Sequence, residues 1–397
     1  MNPHTLYTTP NSLAADYSRF RVAERLLLTG HSHQAWPDCC FEAQQQAWLD
    51  AAELVDNKWS AAFARADDVR RGYARWLDDP EGDIALGQNT HELLVRLLSA
   101  LSWQTRPKII STDGEFHTAR RLFDRLAEAG LEVVKVPANP VDQLAPRISE
   151  VVDDRTALVY VSSVLFQTAQ IVPGITEVAR SCQHHGAELV IDTYHHLGVL
   201  PFSIRGLERA FLLGGGYKYL QLGEGNCALR IPPDCESRPI TTGWFTEFDA
   251  LANKHEPKKV LYGAGGSRFA GATYDPTSNY RGAAVFRFFE EKGLTPEVLR
   301  EVSQHQVGVL AERFDSLDLP ETFIRRDRNV DLSQIGGFLV LQSAHAGDIC
   351  ARLKQAGVMT DYRGENLRLG PAPYLSDSQL HDAFDELGTI CRERVQT

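Results

Sequence analysis

The sequence predicts an α/β protein: a large domain on a mostly parallel sheet, followed by a smaller α+β domain. Two observations carry this. Through the middle of the chain, short and almost wholly apolar runs alternate with amphipathic helical patterns; strands without polar alternation are covered on both faces. The chain also has 397 residues, more than one small core organises, which leaves room for a second unit.

Taken in order, the first 80 residues read as a mostly helical segment packing on the rest. "PKIIST" is then a strand and "FHTARRLFDRLAEAG" a helix ending at Gly130. "LEVVKV", "TALVYVSS", "AELVIDT" and "RAFLLGGG" are further short strands, with "ITEVARSCQHHG" as a helix between two of them. These place the large domain over residues 81–275. From 276 to 397 the helical patterns "NYRGAAVFRFFEEKGL" and "TPEVLREVSQHQVGVLAERFDSL" lead to a strand "GGFLVLQ" and a helix "AGDICARLKQAG". A short strand "VMTDYR" and a last helix "SDSQLHDAFDELGTICRERV" complete the smaller α+β domain.

Composition narrows the function. The 41 basic against 52 acidic residues give a formal net charge of −11, which argues against a non-specific nucleic-acid or anionic-membrane surface. No apolar run approaches the roughly 20 residues that cross a bilayer. The polar start "MNPHTLYTTPNSLAADYSRF" lacks a signal peptide's apolar segment. The seven scattered cysteines have no CxxC spacing and read as neither a disulfide framework nor a zinc site. A cytoplasmic protein is expected.

Two strand ends carry the chemistry. Asp192 closes the apolar run of "AELVIDTYHHLG", and Lys218 follows 26 residues later in "GGGYKYLQLGEG". In open α/β sheets such strand ends face the ligand crevice. Alone, the Asp could close a turn and the Lys could be a solvated loop residue. Together they form the layout that pyridoxal 5'-phosphate needs: an amine for the Schiff base and a carboxylate to keep the ring nitrogen protonated. Tyr217 and Tyr219 supply surroundings that help the lysine shed its proton, and the flanking glycines permit close backbone approach to a ligand.

At this point the chain resembles the class V aminotransferase group of fold type I pyridoxal-phosphate enzymes, and within it kynureninase. The resemblance runs as ordered short motifs from about Leu26 to the last helix. "LTGHSHQAWP" stands where kynureninases carry Gly-Asn-Ser-Leu-Gly, and "LFQTAQ" resembles their Tyr-x-Thr-Gly-Gln, with Ala169 in place of the glycine. "DTYHHLG" resembles Asp-Leu-Ala-His-Ala-Val-Gly, so Asp192 and His195 match the family's acid and histidine; "YKYL" is the lysine motif unchanged. "GWF" at 243–245 and "LRLGPAPYL" at 367–375 match two further segments.

The resemblance implies a seven-stranded, mostly parallel sheet and a set of roles. Phe116 would stack on the cofactor ring. Thr90 and His91, opening a helix in "GQNTHELL", would contact the phosphate, as helix N-termini do. Thr168, Tyr217 and Trp244 would add cofactor contacts. Thr273 would reach a phosphate across a dimer interface, making the unit a homodimer with shared sites. Arg368 would grip the α-carboxylate of an amino-acid substrate, with His31 and Ser32 lining the substrate entrance.

"HSH", "HH" and Cys39–Cys40 lack the convergent spacing of metal sites, and no metal is expected. Cys350 lies in a helical pattern, not on the mobile loop a desulfurase nucleophile needs. The resemblance implies hydrolytic Cβ–Cγ cleavage of kynurenine or a related amino acid. His-Ser-His-Gln near the N-terminus, Phe166 for a tyrosine and Gln221 for an asparagine leave a class V aminotransferase or a C–S lyase open.

Overall fold

The computed structural model describes residues 1–250 and 260–395. In chain order the elements are β1 (Leu26–Leu27), α1 (Cys39–Leu54), α2 (Lys58–Trp76), β2 (Asp83–Gly87), α3 (Thr90–Leu98), β3 (Lys108–Thr112), α4 (His117–Glu128), β4 (Glu132–Val136), α5 (Leu144–Val151) and β5 (Thr156–Ser162). They continue through α6 (Ile175–His185), β6 (Glu188–Asp192), β7 (Phe211–Gly215), β8 (Cys227–Ile231), α7 (Thr277–Lys292), α8 (Pro296–Ser316) and β9 (Leu339–Gln342). Last come α9 (Ala346–Gln355), β10 (Val358–Met359), β11 (Asp361–Arg363), β12 (Asn366–Leu369) and α10 (Asp377–Val395).

Seven strands form one sheet in the order β2-β8-β7-β6-β5-β3-β4. The pairs β4–β3, β3–β5, β5–β6 and β6–β7 are parallel, while β8 runs antiparallel to both β7 and β2. The apolar strands predict their own burial. Ile109, Leu158, Tyr160, Val190, Phe211 and Leu213 pack with Leu93, Leu94 and Leu97 of α3 and Phe123 of α4. Their neighbours Ile110, Val159, Val161, Ile191 and Leu212 pack on the other face with Leu144 and Ile148 of α5 and Val178 of α6. Successive side chains point to opposite faces, so a sheet covered twice is apolar at every position.

The parallel strands end on a common edge. Thr112, Ser162, Asp192 and Gly215 are the last residues of β3, β5, β6 and β7, and the site is built there.

A second sheet, β11-β12-β9, is antiparallel. The predicted strand "VMTDYR" divides at Thr360. Val358 and Met359 pair in parallel with Leu26 and Leu27, so the N-terminal segment contributes a strand beside the C-terminal part. Asp361–Arg363 instead forms a hairpin with β12. Its two-residue loop places Gly364 at φ +56°, the left-handed backbone such loops reserve for glycine. Among the described residues no helix is long and apolar enough to cross a membrane.

Candidate functional site

Lys218 lies three residues beyond β7 and is buried. Its Nζ sits 2.6 Å from His195 Nε2, 4.9 Å from the centre of the Tyr194 ring and 5.6 Å from that of Phe116. Burial is the main influence on the amine and pushes its pKa down to about 7; the nearby Asp192 charge opposes this and Arg368 adds to it. The lysine is thus held close to the neutral, nucleophilic form at physiological pH.

Asp192 accepts the Tyr160 O–H at 2.7 Å on one oxygen and the Tyr194 N–H at 2.8 Å on the other. Burial raises its pKa, while these two hydrogen bonds and Lys218 act to lower it. His195 is buried and kept neutral chiefly by desolvation, reinforced by the charge of Lys218. Among the described residues its Nδ1 has no hydrogen-bond partner.

These groups line one cavity of about 290 Å³. Thr90, His91, Phe116, Asp192, His195, Tyr217 and Lys218 all face it, together with Asn89, Tyr160, Phe166, Tyr194 and Cys227. The Asn89 side chain caps α3 by accepting the Glu92 N–H at 2.9 Å. The cavity therefore has a helix N-terminus on one wall, an aromatic face at Phe116, a fixed carboxylate and a buried amine. That set fits pyridoxal 5'-phosphate: an anion-binding end, a stacking surface, a ring-nitrogen partner and an aldehyde-capturing nitrogen.

The glycines before Lys218 also have a packing role. A Cβ on Gly215 would lie 2.1 Å from Tyr194 Oη, and one on Gly216 would lie 2.4 Å from Leu222. Their missing side chains make room for the tyrosine and leucine that shape the Lys218 turn.

Six predicted residues are not among those lining this cavity: Thr273, Trp244, Thr168 and Ser32, and the pair Arg368 and His31. Thr273 lines a neighbouring cavity of about 780 Å³ with Phe245, Tyr262 and Tyr274; the two cavities share Gln88 and Gly225 as lining residues. Trp244 is 43% exposed, and its ring lies 4.2 Å from that of Phe245 with the two planes tilted by 50°. The half-buried Thr168 accepts the Gln170 N–H at 3.4 Å. Ser32 Oγ lies 3.1 Å from His33 Nδ1.

Arg368 is buried and already engaged. Its Nε and Nη2 donate to the two carboxylate oxygens of Asp361 at 2.9 and 2.5 Å, and Nη1 donates to the Phe166 carbonyl at 2.7 Å. His31, fully buried, stands 2.8 Å from the same aspartate. Burial lowers the His31 pKa to about 4, outweighing the hydrogen bond to Asp361. Since a carboxylate only accepts, the neutral ring carries its proton on Nε2. Phe338 joins this group to the lysine side, its ring 4.7 Å from His31, 5.7 Å from His195 and 5.7 Å from the Arg368 guanidinium.

Sequence reasoning missed Asp361, Phe338, Tyr160, Tyr194 and Glu115. The Glu115 carboxyl is buried behind Asp192, receives Thr112 O–H, Ser162 N–H and Ser162 O–H, and is raised to about 7 mainly by burial. In sequence it reads as an acid near a helix start. Asp361 had a usable signal: "DYRGENLR" is a hairpin whose register sets Asp361 opposite Arg368.

This fold is that of class V aminotransferases within fold type I. The structure of a C-DES mutant with glycine covalently linked to the PLP cofactor superposes with a TM-score of 0.83 at 17% identity, covering 94% of this chain and 98% of that one. A second C-DES structure describes that protein as a cystine C–S lyase. In sequence the chain is similar to kynureninases. The Bacillus cereus protein is 26% identical over 241 residues, 59% of this chain and 53% of that one. The Deinococcus radiodurans protein is 24% identical over 368 residues, 88% and 82% of the two chains. The chain spans about half the length of the Bacillus relatives it matches. No protein-family model matches the chain.

Proposed function

We propose that the chain is a pyridoxal-phosphate-dependent enzyme acting on an α-amino acid, and that its reaction is the hydrolytic cleavage of the Cβ–Cγ bond of kynurenine or a close relative. With water, kynurenine would yield anthranilate and alanine. The observation that carries the cofactor reading is the shared cavity: the buried Lys218 amine, the Asp192 carboxylate, the Phe116 ring and the first turn of α3 all face it. The sequence likeness to kynureninases supports the choice of reaction.

When bound, pyridoxal phosphate supplies an electron sink for charge developing at the substrate's Cα. The chain's own residues do the rest. Lys218 Nζ would hold the cofactor at its aldehyde end and would take up the proton from the substrate's Cα, a role suited to an amine poised near neutrality. Asp192, fixed by Tyr160 and Tyr194, holds a proton on the ring nitrogen. Phe116 supports the ring, and Thr90, His91 and the α3 N-terminus receive the phosphate. Arg368 takes the α-carboxylate, with two of its five N–H donors still free for it. We further propose a homodimer, with Thr273 of the larger cavity near the shared boundary.

Cys350 sits on α9, its Sγ 3.6 Å from the Thr360 carbonyl; this does not suit a mobile sulfur-accepting nucleophile. The test has two stages. Purified protein supplied with pyridoxal phosphate should show a visible absorption band that borohydride abolishes and Lys218→Ala lacks. Supplied then with kynurenine, it should release fluorescent anthranilate. A colourless protein sinks the cofactor reading. A coloured protein that makes a ketoacid from a donor amino acid, and no anthranilate, replaces hydrolysis with transamination.

A further inference from the structure

The geometry points to Asp361 as the positioning residue for the substrate-carboxylate site: a fixed anion that aims the Arg368 guanidinium and stays in place when substrate binds. This rests on the reading of Arg368 given above and adds a residue to it.

The placement follows from the hairpin. In the β11–β12 register Asp361 stands directly opposite Arg368, and residues paired across an antiparallel ladder share a face. The aspartate takes the Nε and Nη2 protons of the guanidinium side by side, fixing the plane of the fork. Nη1 donates to the Phe166 carbonyl, so the plane is held at two sides. One N–H on each of Nη1 and Nη2 remains beyond these three bonds.

Asp361 is itself pinned. His31 approaches one oxygen at 2.8 Å, and Arg363 Nη2 lies 3.6 Å from the other. Burial alone would raise the Asp361 carboxyl, but the His31 hydrogen bond and the Arg368 charge hold it well below the usual carboxylate range. A carboxylate with three partners, two of them independent of Arg368, does not leave when a second carboxylate arrives. It acts as a partner to the arginine, not as a gate over it. Because Asp361 balances the Arg368 charge, affinity for the incoming carboxylate depends on where the free N–H groups point more than on net charge.

The experiment uses the cofactor-loaded protein and L-alanine as probe, its binding followed by the change in the cofactor's visible band. Asp361→Asn should retain the band and cofactor content yet bind L-alanine about tenfold more weakly or worse, as expected when one member of a buried charge pair is lost. Asp361→Glu should recover part of that loss. If Asp361 acts through Arg368, adding Asp361→Asn to Arg368→Ala should weaken binding no further. Unchanged or tighter binding in Asp361→Asn, or additive losses in the double variant, overturns the inference. Loss of the band in unmodified protein is a different result and strikes at the cofactor reading instead.

Discussion

The Lys218 amine draws its reactivity from its surroundings. An exposed lysine keeps its proton to about pH 10.4 and is a poor nucleophile at neutrality. Burial brings Lys218 down to about 7 against the pull of Asp192. The sign is direct: only the neutral amine attacks an aldehyde, and its fraction rises with pH through the folded pKa. The rate at which the cofactor-free protein captures pyridoxal phosphate should therefore climb from pH 5.5 and level off just above about 7. Stopped-flow absorbance checks this, and a rate still rising steeply at pH 9 would contradict it. The partners of this residue were legible unevenly. Asp192 ends an apolar strand and stands out as the charge there. Tyr160, which donates to it, lies inside such a strand and reads as core.

At the scale of elements, the parallel strands were visible because burial on both faces leaves them apolar throughout. The antiparallel strand β8 and the edge strand β2 beside it were not. β8 contains Arg230, an unusual core residue, tolerated because its guanidinium reaches Asp79 at 2.7 Å and the carbonyls of Glu208 and Ala210 at 2.6 and 3.1 Å. The sequence cannot announce partners up to 151 residues away. The end of β7 carries a prediction. Gly215→Ala would drive a methyl into the Tyr194 ring, and Tyr194 both donates to Asp192 and lies under Lys218. Overpacking of this kind costs about 1–3 kcal/mol. Urea unfolding should register that loss, and the variant should retain less cofactor after dialysis. Full stability with full cofactor content would show that the tyrosine has another place to go.

For the whole molecule, helix α1 is the element whose outward surface is least explained by this chain alone. Its inner side packs on α7. Phe41 and Trp48 stand seven residues apart on α1, and with Leu49 they are 42%, 78% and 57% exposed, while Val55, just past the helix end, is 64% exposed. Residues so spaced lie along one stripe of a helix, and a contiguous apolar stripe in water marks an interaction surface. A second copy of the chain is the partner the proposed shared site requires. Both copies carry a formal charge of −11, so approach is opposed at long range and association must come from apolar burial. Salt screens the repulsion, with a Debye length falling from about 30 Å at 0.01 M to about 8 Å at 0.15 M, and leaves the apolar contribution largely intact. The dimer should therefore tighten as salt rises across that range, the reverse of an interface held by opposite charges. Sedimentation equilibrium should give twice the mass of one chain at moderate salt. Trp48→Glu, which adds a charge to the stripe and repeats it on the partner, should shift the population to single chains with the helix content unchanged. A protein that stays monomeric under all these conditions, or a dimer indifferent to Trp48→Glu, would remove α1 as the contact surface.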